Sequence, residues 1–176
     1  MNRRSDNGRT RFFSTRLLSA AAALVVLSTA LPLAADEWKS YSAPDYGFSM
    51  LVPEGATIKE KEWQDGWGGL FSSHDGLMLW GLAKLGKKYS AEEIEAYGVK
   101  LTGIPEDDWK EIGKGEDDNG WTWYRTVEAT KGGTLIFGGY GVGPKGSYLL
   151  LLKTTVADYD AHKADYKKWY GSIKLK

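Results

Sequence analysis

The chain has 176 residues, no cysteine, two histidines and 23 basic against 23 acidic side chains. The lack of cysteine excludes disulfide stapling and thiol catalysis, so any exported form must be held by packing alone. The balanced charge hides an asymmetry. Five arginines and one aspartate lie in the first 35 residues, leaving 18 basic and 22 acidic residues and a net charge of −4. A mildly acidic domain of that kind is a poor nucleic-acid binder.

Arg3, Arg4, Arg9, Arg11 and Arg16 precede an apolar run from Leu17 to Leu33, which ends in Ala34 and Ala35. Basic, apolar and small, in that order, is the pattern of a secretory signal peptide. The sequence therefore predicts a signal peptide over residues 1–35, cut between Ala30 and Asp36. One domain over 36–176 then follows, periplasmic or secreted. An uncleaved anchor competes with this reading, but the run is at the short end for a span. No cysteine follows it to carry a lipid, and no membrane span is expected after cleavage.

Downstream, short strands alternate with turns. In Pro44-Asp45-Tyr46-Gly47, proline presets φ and glycine takes the tight position. Phe48 to Val52 is a strand that Pro53-Glu54-Gly55 stops. Thr57 to Trp63 is the next, with Lys59, Lys61 and Trp63 on one side. Asp65-Gly66 is a hairpin signal, and Trp67 to Ser72 returns. After Ser73-His74-Asp75-Gly76, Leu77 to Leu85 is apolar on both faces. Ser90-Ala91-Glu92-Glu93 is a capping box that opens a helix. Ile94, Tyr97 and Leu101 are its predicted buried stripe, Gly103 its cap, and Pro105 bars continuation. Glu106-Asp107-Asp108 is a solvated loop, Trp109 to Lys114 a short strand, and Asp118-Asn119-Gly120 a turn.

The centre of the chain is a predicted meander: Trp121 to Thr130, Thr134 to Val142 and Ser147 to Thr155. Its turns are short enough to force antiparallel neighbours. On the first strand Trp121, Trp123, Arg125, Val127 and Ala129 share one face. Tyr148 to Leu152 is apolar without alternation, as in a strand covered on both sides. A last helix runs from about Asp158 to Tyr170. Asp158 can cap it, and its inner face is Tyr159, His162, Tyr166 and Trp169, continuing to Ile173.

The order of strands, one helix, strands and one long terminal helix resembles the PsbP-like superfamily. Tyr46-Gly47-Phe48-Ser49-Met50, Pro53-Glu54-Gly55 and Trp169-Tyr170-Gly171-Ser172-Ile173-Lys174 carry the likeness over residues 38 to 176. That superfamily includes a photosystem oxygen-evolution subunit, the nuclear-import factor that binds the GTPase Ran, and many bacterial secreted proteins. The resemblance implies an α+β fold, with helices packed on both faces of an antiparallel sheet (an α/β/α sandwich). It also implies a binding role without catalysis. It supplies no catalytic motif, and the partners of its members do not transfer, because fold does not fix function.

Candidate chemistry is sparse. Gly141-Val142-Gly143-Pro144-Lys145-Gly146 matches a dinucleotide loop in letters, but it leads into a strand and Pro144 removes a donor. Gly139, Gly141 and Gly143 strip one strand face of side chains, either for close packing or as the floor of a groove. Asp158, His162 and Asp165 offer a weak metal set on one helix, with ordinary helix packing as the alternative. The acidic turn at Glu116 to Gly120 fails calcium-loop spacing. No catalytic residue, cofactor or metal is assigned.

Two aromatic groups remain as candidate partner or ligand sites. Trp63 and Trp67 flank the hairpin turn. Exposed, they would offer paired indoles to a sugar face or a protein; buried, they belong to the core. Arg125, with Trp121 and Trp123, would form an anion contact in an aromatic groove, or else an ordinary ion pair. The sequence thus predicts a non-catalytic, monomeric exported domain binding a protein or envelope component, with a small-ligand carrier as the alternative.

Overall fold

The computed structural model describes residues 37–116 and 119–176. The predicted signal peptide lies outside the described residues, as do Asp117 and Asp118 of the acidic turn. The elements are β1 (Trp38–Ala43), β2 (Phe48–Pro53), β3 (Thr57–Glu62), β4 (Gly68–His74), β5 (Leu77–Leu85), α1 (Ala91–Thr102), β6 (Trp109–Gly115), β7 (Trp123–Lys131), β8 (Thr134–Val142), β9 (Gly146–Thr155), α2 (Val156–Gly171) and β10 (Lys174–Leu175). Seven strands form one antiparallel sheet in the order β3-β4-β5-β9-β8-β7-β6. β1, β2 and β10 form a second, three-stranded sheet. Among the described residues, no helix is long and apolar enough to cross a membrane.

Turn chemistry sets the hairpins. Lys131 pairs with Thr134 across Gly132-Gly133, whose φ values of 57° and 79° are those a two-residue hairpin needs. At the β3–β4 turn, Asp65 and Gly66 adopt φ 60° and 69°, and the Trp63 N–H donates to the Trp67 carbonyl at 2.6 Å. The meander is present as β7, β8 and β9, and β9 is the middle strand of the seven.

β9 carries the two cores. Tyr148, Leu150 and Leu152 join one apolar cluster, which contains Tyr159, Tyr166 and Trp169 of α2. Leu149 and Leu151 join the other, which contains Ile94 of α1. Successive strand side chains point to opposite faces, so each set of alternate residues serves one cluster.

α1 has the predicted capping box. Ser90 Oγ accepts from the Glu93 N–H, and the Glu93 carboxylate accepts from the Ser90 N–H. Gly103, at φ 71°, ends the helix. Its predicted stripe, Ile94, Tyr97 and Leu101, packs against the second apolar cluster, but not evenly. Only Ile94 and Gly98 are fully buried, because the Trp109 ring lies against Gly98 and draws that face inward. The Trp109 indole donates to the Ile104 carbonyl at 3.1 Å. Tyr97 and Leu101 flank the contact, half-buried.

α2 is capped by Thr155 and not by Asp158: the Thr155 hydroxyl accepts from the Asp158 N–H at 3.1 Å. Tyr159, Tyr166 and Trp169 are buried, and Ile173 follows them inside. His162 is not on that inner face. Its backbone departs from the helix (φ −117°, ψ 20°), and its side chain is 41% exposed. β10 had no sequence signal. Lys174 and Leu175 pair with Ser49 and Phe48, and the Lys176 N–H donates to the Gly47 carbonyl.

Candidate functional site

The alternation of β3 separates its charges. Glu60 and Glu62 accept hydrogen bonds from the hydroxyls of Tyr41 (2.6 Å) and Tyr46 (3.5 Å), beside the three-stranded sheet. Lys59 and Lys61 fall on the other face by the period of two. There the Lys61 ammonium sits 4.6 Å over the Trp63 ring. This face of the hairpin meets α1. Lys100 of the helix pairs with Asp65 of the turn at 2.9 Å, and the Lys84 ammonium donates to the Asp65 carbonyl.

The two hairpin tryptophans have different duties. Trp67 is 2% exposed and serves as a base. Tyr97 stacks on it with ring centroids 4.7 Å apart, and Tyr89 at 6.2 Å, both nearly parallel. Trp63 is half-buried and forms a wall. Lys61, Glu62, Trp63, Gln64, Tyr97, Lys100 and Leu101 bound an open hollow of about 580 Å³. A second hollow of about 390 Å³, lined by Trp67, Tyr89 and Glu93, shares Tyr97 and Lys100 with it. Burial, aided by the Asp65 charge, pushes the Tyr97 hydroxyl up to about 12, so it remains a neutral donor at physiological pH. The Lys59-Lys61-Trp63 alternation was legible in the sequence. The part played by Tyr97 and Lys100 was not, since it depends on where α1 docks.

The second predicted group is divided. β7 begins at Trp123, so Trp121 precedes the strand and does not obey its alternation. Trp121 is buried in the α2-side cluster, 6.2 Å from the Tyr148 ring, whereas Trp123 packs with the α1-side cluster. Arg125 shares a face with Trp123, Val127 and Ala129, and not with Trp121. Its guanidinium already lies 3.3 Å from Glu111 and 3.8 Å from Glu92. Behind it Tyr140 is fully buried, its ring edge-on to Trp123, and its hydroxyl donates to Glu95 of α1. Burial and then that carboxylate hold the Tyr140 pKa well above the ordinary tyrosine value. An adjoining hollow of about 310 Å³ is lined by Lys114, Trp123, Tyr124 and Arg125.

The glycine row is packed. Gly139 lies under the Tyr170 ring and Gly143 under Leu175, so neither floors an open groove. Among the described residues, no three His, Asp or Glu side chains are placed to hold a metal ion. Asp158 instead anchors α2. It accepts from the Thr154 hydroxyl at 2.5 Å and from the Tyr166 hydroxyl, and His162 Nδ1 lies 3.1 Å from its Oδ1. Burial alone would raise its pKa, but the Thr154 and Tyr166 hydrogen bonds and His162 outweigh burial, and the net shift is downward. A carboxylate with a lowered folded pKa stabilises above its unfolded pKa and loses that stabilisation as pH falls through the folded value. Asp158→Asn should therefore melt below wild type at neutral pH, and the gap should close on acidification past about pH 4. A gap that stays constant across a pH series of thermal melts would contradict this.

No protein-family model matches the chain, and no curated protein sequence matches it. Among solved structures it is similar to the solution structure of cyanobacterial PsbP (CyanoP) from Synechocystis sp. PCC 6803. The two share 13% sequence identity, with a TM-score of 0.54 over 85% of this chain and 99% of that one. At that identity the likeness speaks for architecture alone, and it agrees with the element order described above. The chain has the PsbP-like fold.

Proposed function

We propose that the chain is an exported, non-catalytic binding domain, an α/β/α sandwich that holds an envelope protein on the corner between the β3–β4 hairpin and α1. One observation carries the reading: a supported aromatic and cationic surface at that corner. Tyr97 is stacked on buried Trp67, Trp63 stands as a wall, and Lys61 and Lys100 lie beside them. Tryptophan and tyrosine on a rigid base are the residues that anchor protein interfaces. The PsbP-like fold supports the non-catalytic part. A small-ligand carrier is less well supported, because both hollows open onto the surface and such ligands are usually mostly enclosed.

A photo-reactive residue at position 63, expressed in the native host, tests this. Position 63 should give a discrete protein adduct on a chain lacking residues 1–35, and position 167 on the exposed side of α2 should not. Identical adduct patterns at both positions, or none at 63, would remove the corner from the function. A full-length chain in the adduct would remove the export.

A further inference from the structure

Resting on that reading, we infer that the corner takes an extended acidic peptide segment of the partner, laid along the outer edge of β3.

β3 and β6 are the two edges of the seven-stranded sheet. They are not equivalent. β6 pairs with β7 through a register shift between Glu111 and Gly113, and such a bulge twists an edge away from further pairing. β3 pairs with β4 in unbroken register over all six residues, from Thr57 opposite Ser73 to Glu62 opposite Gly68. Its outer side meets no strand among the described residues, and five of its six residues are exposed. An edge of this kind offers backbone donors and acceptors to an added strand. The larger hollow adjoins it, because four consecutive residues, Lys61 to Gln64, line its wall. A peptide can use that backbone, whereas a lipid headgroup or a sugar gains little from it.

Charge then selects the sequence of the segment. Glu60 is turned to the other face, where the Tyr41 hydroxyl donates to it; Glu62 reaches the wall of the hollow as well, but accepts from the Tyr46 hydroxyl. The α1 face keeps Lys59 and Lys61, and Lys100 beyond them is already paired with Asp65. An added strand presents alternate side chains to each face, and opposite charges across strands are favoured. The segment should therefore carry Asp or Glu at alternate positions. A neighbouring apolar side chain on the same face would drop between Trp63, Tyr97 and Leu101.

The test is a phage-displayed library of peptides of about ten residues, enough to cover a strand of this length. It is selected on protein purified from the native host and counter-selected on Lys61→Glu/Lys100→Glu, with Lys61→Gln/Lys100→Gln carried in parallel. Enriched peptides should show alternating acidic residues and shift the amide resonances of Thr57 to Gln64, Tyr97 and Lys100. Affinity should fall about tenfold or more in the double variants, and again when alternate peptide amides are N-methylated.

Enrichment without the acidic alternation, shifts elsewhere, or undiminished binding of N-methylated peptides would overturn the inference. So would lysine-dependent binding of phosphatidylglycerol vesicles with no peptide enriched. If position 63 still cross-links a protein while the acidic pattern is missing, this inference falls and the binding reading stands. If peptides bind but position 63 gives no adduct in the host, the reading falls.

Discussion

Trp169→Ala is expected to destabilise the domain by about 3–5 kcal/mol, the usual cost of truncating a buried large aromatic. For a domain of this size that corresponds to a fall in Tm on the order of 10–20 °C. The indole is 0% exposed and lies among Phe137 at 6.4 Å, Tyr170 at 6.4 Å and the α2-side cluster. That cluster also takes in Tyr148, Leu150 and Leu152 of the middle strand and Phe48, Met50 and Val52 of β2. Removing the indole therefore opens a cavity where α2, the large sheet and the small sheet meet. Whole-domain stability is only about 5–15 kcal/mol, so a loss of this size is a large share of it. Deleting the chain from Asp158 onward removes α2 and β10 together and should prevent folding. Trp169→Phe should cost much less than the alanine change, since most of the volume stays. Calorimetry on the two variants decides the point, and an alanine variant that melts like wild type would mean the helix is not part of the core.

Gly139→Val is the second substitution with a large expected effect. An added Cβ at Gly139 would sit 2.8 Å from Tyr170 Cε2 and 3.0 Å from the Arg125 carbonyl, and against the Tyr170 hydroxyl. The backbone on one side cannot yield, so Tyr170 must move. Moving it breaks the 2.9 Å hydrogen bond between its hydroxyl and Thr126 and lifts the ring from Phe137, 5.5 Å away. Overpacking of this kind costs about 1–3 kcal/mol, and the lost hydrogen bond adds about 0.5–1.5. The mechanism has a specific signature. In a Tyr170→Ala background the valine should cost distinctly less, because the obstructing ring is gone. Equal costs in both backgrounds, measured by urea unfolding, would show that the strain comes from the β7 backbone instead.

What could be read from the sequence is what neighbouring residues decide among themselves. The capping box of α1 needs only Ser90 and Glu93, three residues apart. The β7–β8 hairpin needs two glycines that accept positive φ. Leu149 to Leu152 announce a strand apolar on both sides because alternate residues must face opposite ways. These are short-range effects, and the elements they predict are present.

The tertiary structure decided the rest, and each case has a cause distant in sequence. β10 is two residues long and carries no periodicity, and it exists because β2 supplies its partner. Trp121 left the face of Trp123 because β7 starts two residues later than its apolar pattern suggests, and alternation holds only within extended strand. Gly98 took the inner line of α1 because Trp109 needed the space. The split between Trp67 as base and Trp63 as wall followed from where Tyr89 and Tyr97 stack. The charges of the β3 glutamates were engaged by Tyr41 of β1 and Tyr46 of the β1–β2 turn, which donate to Glu60 and Glu62. Side-chain type along one strand sets which residues share a face. Which face becomes buried, neutralised or left open is set by contacts that only the folded chain brings together.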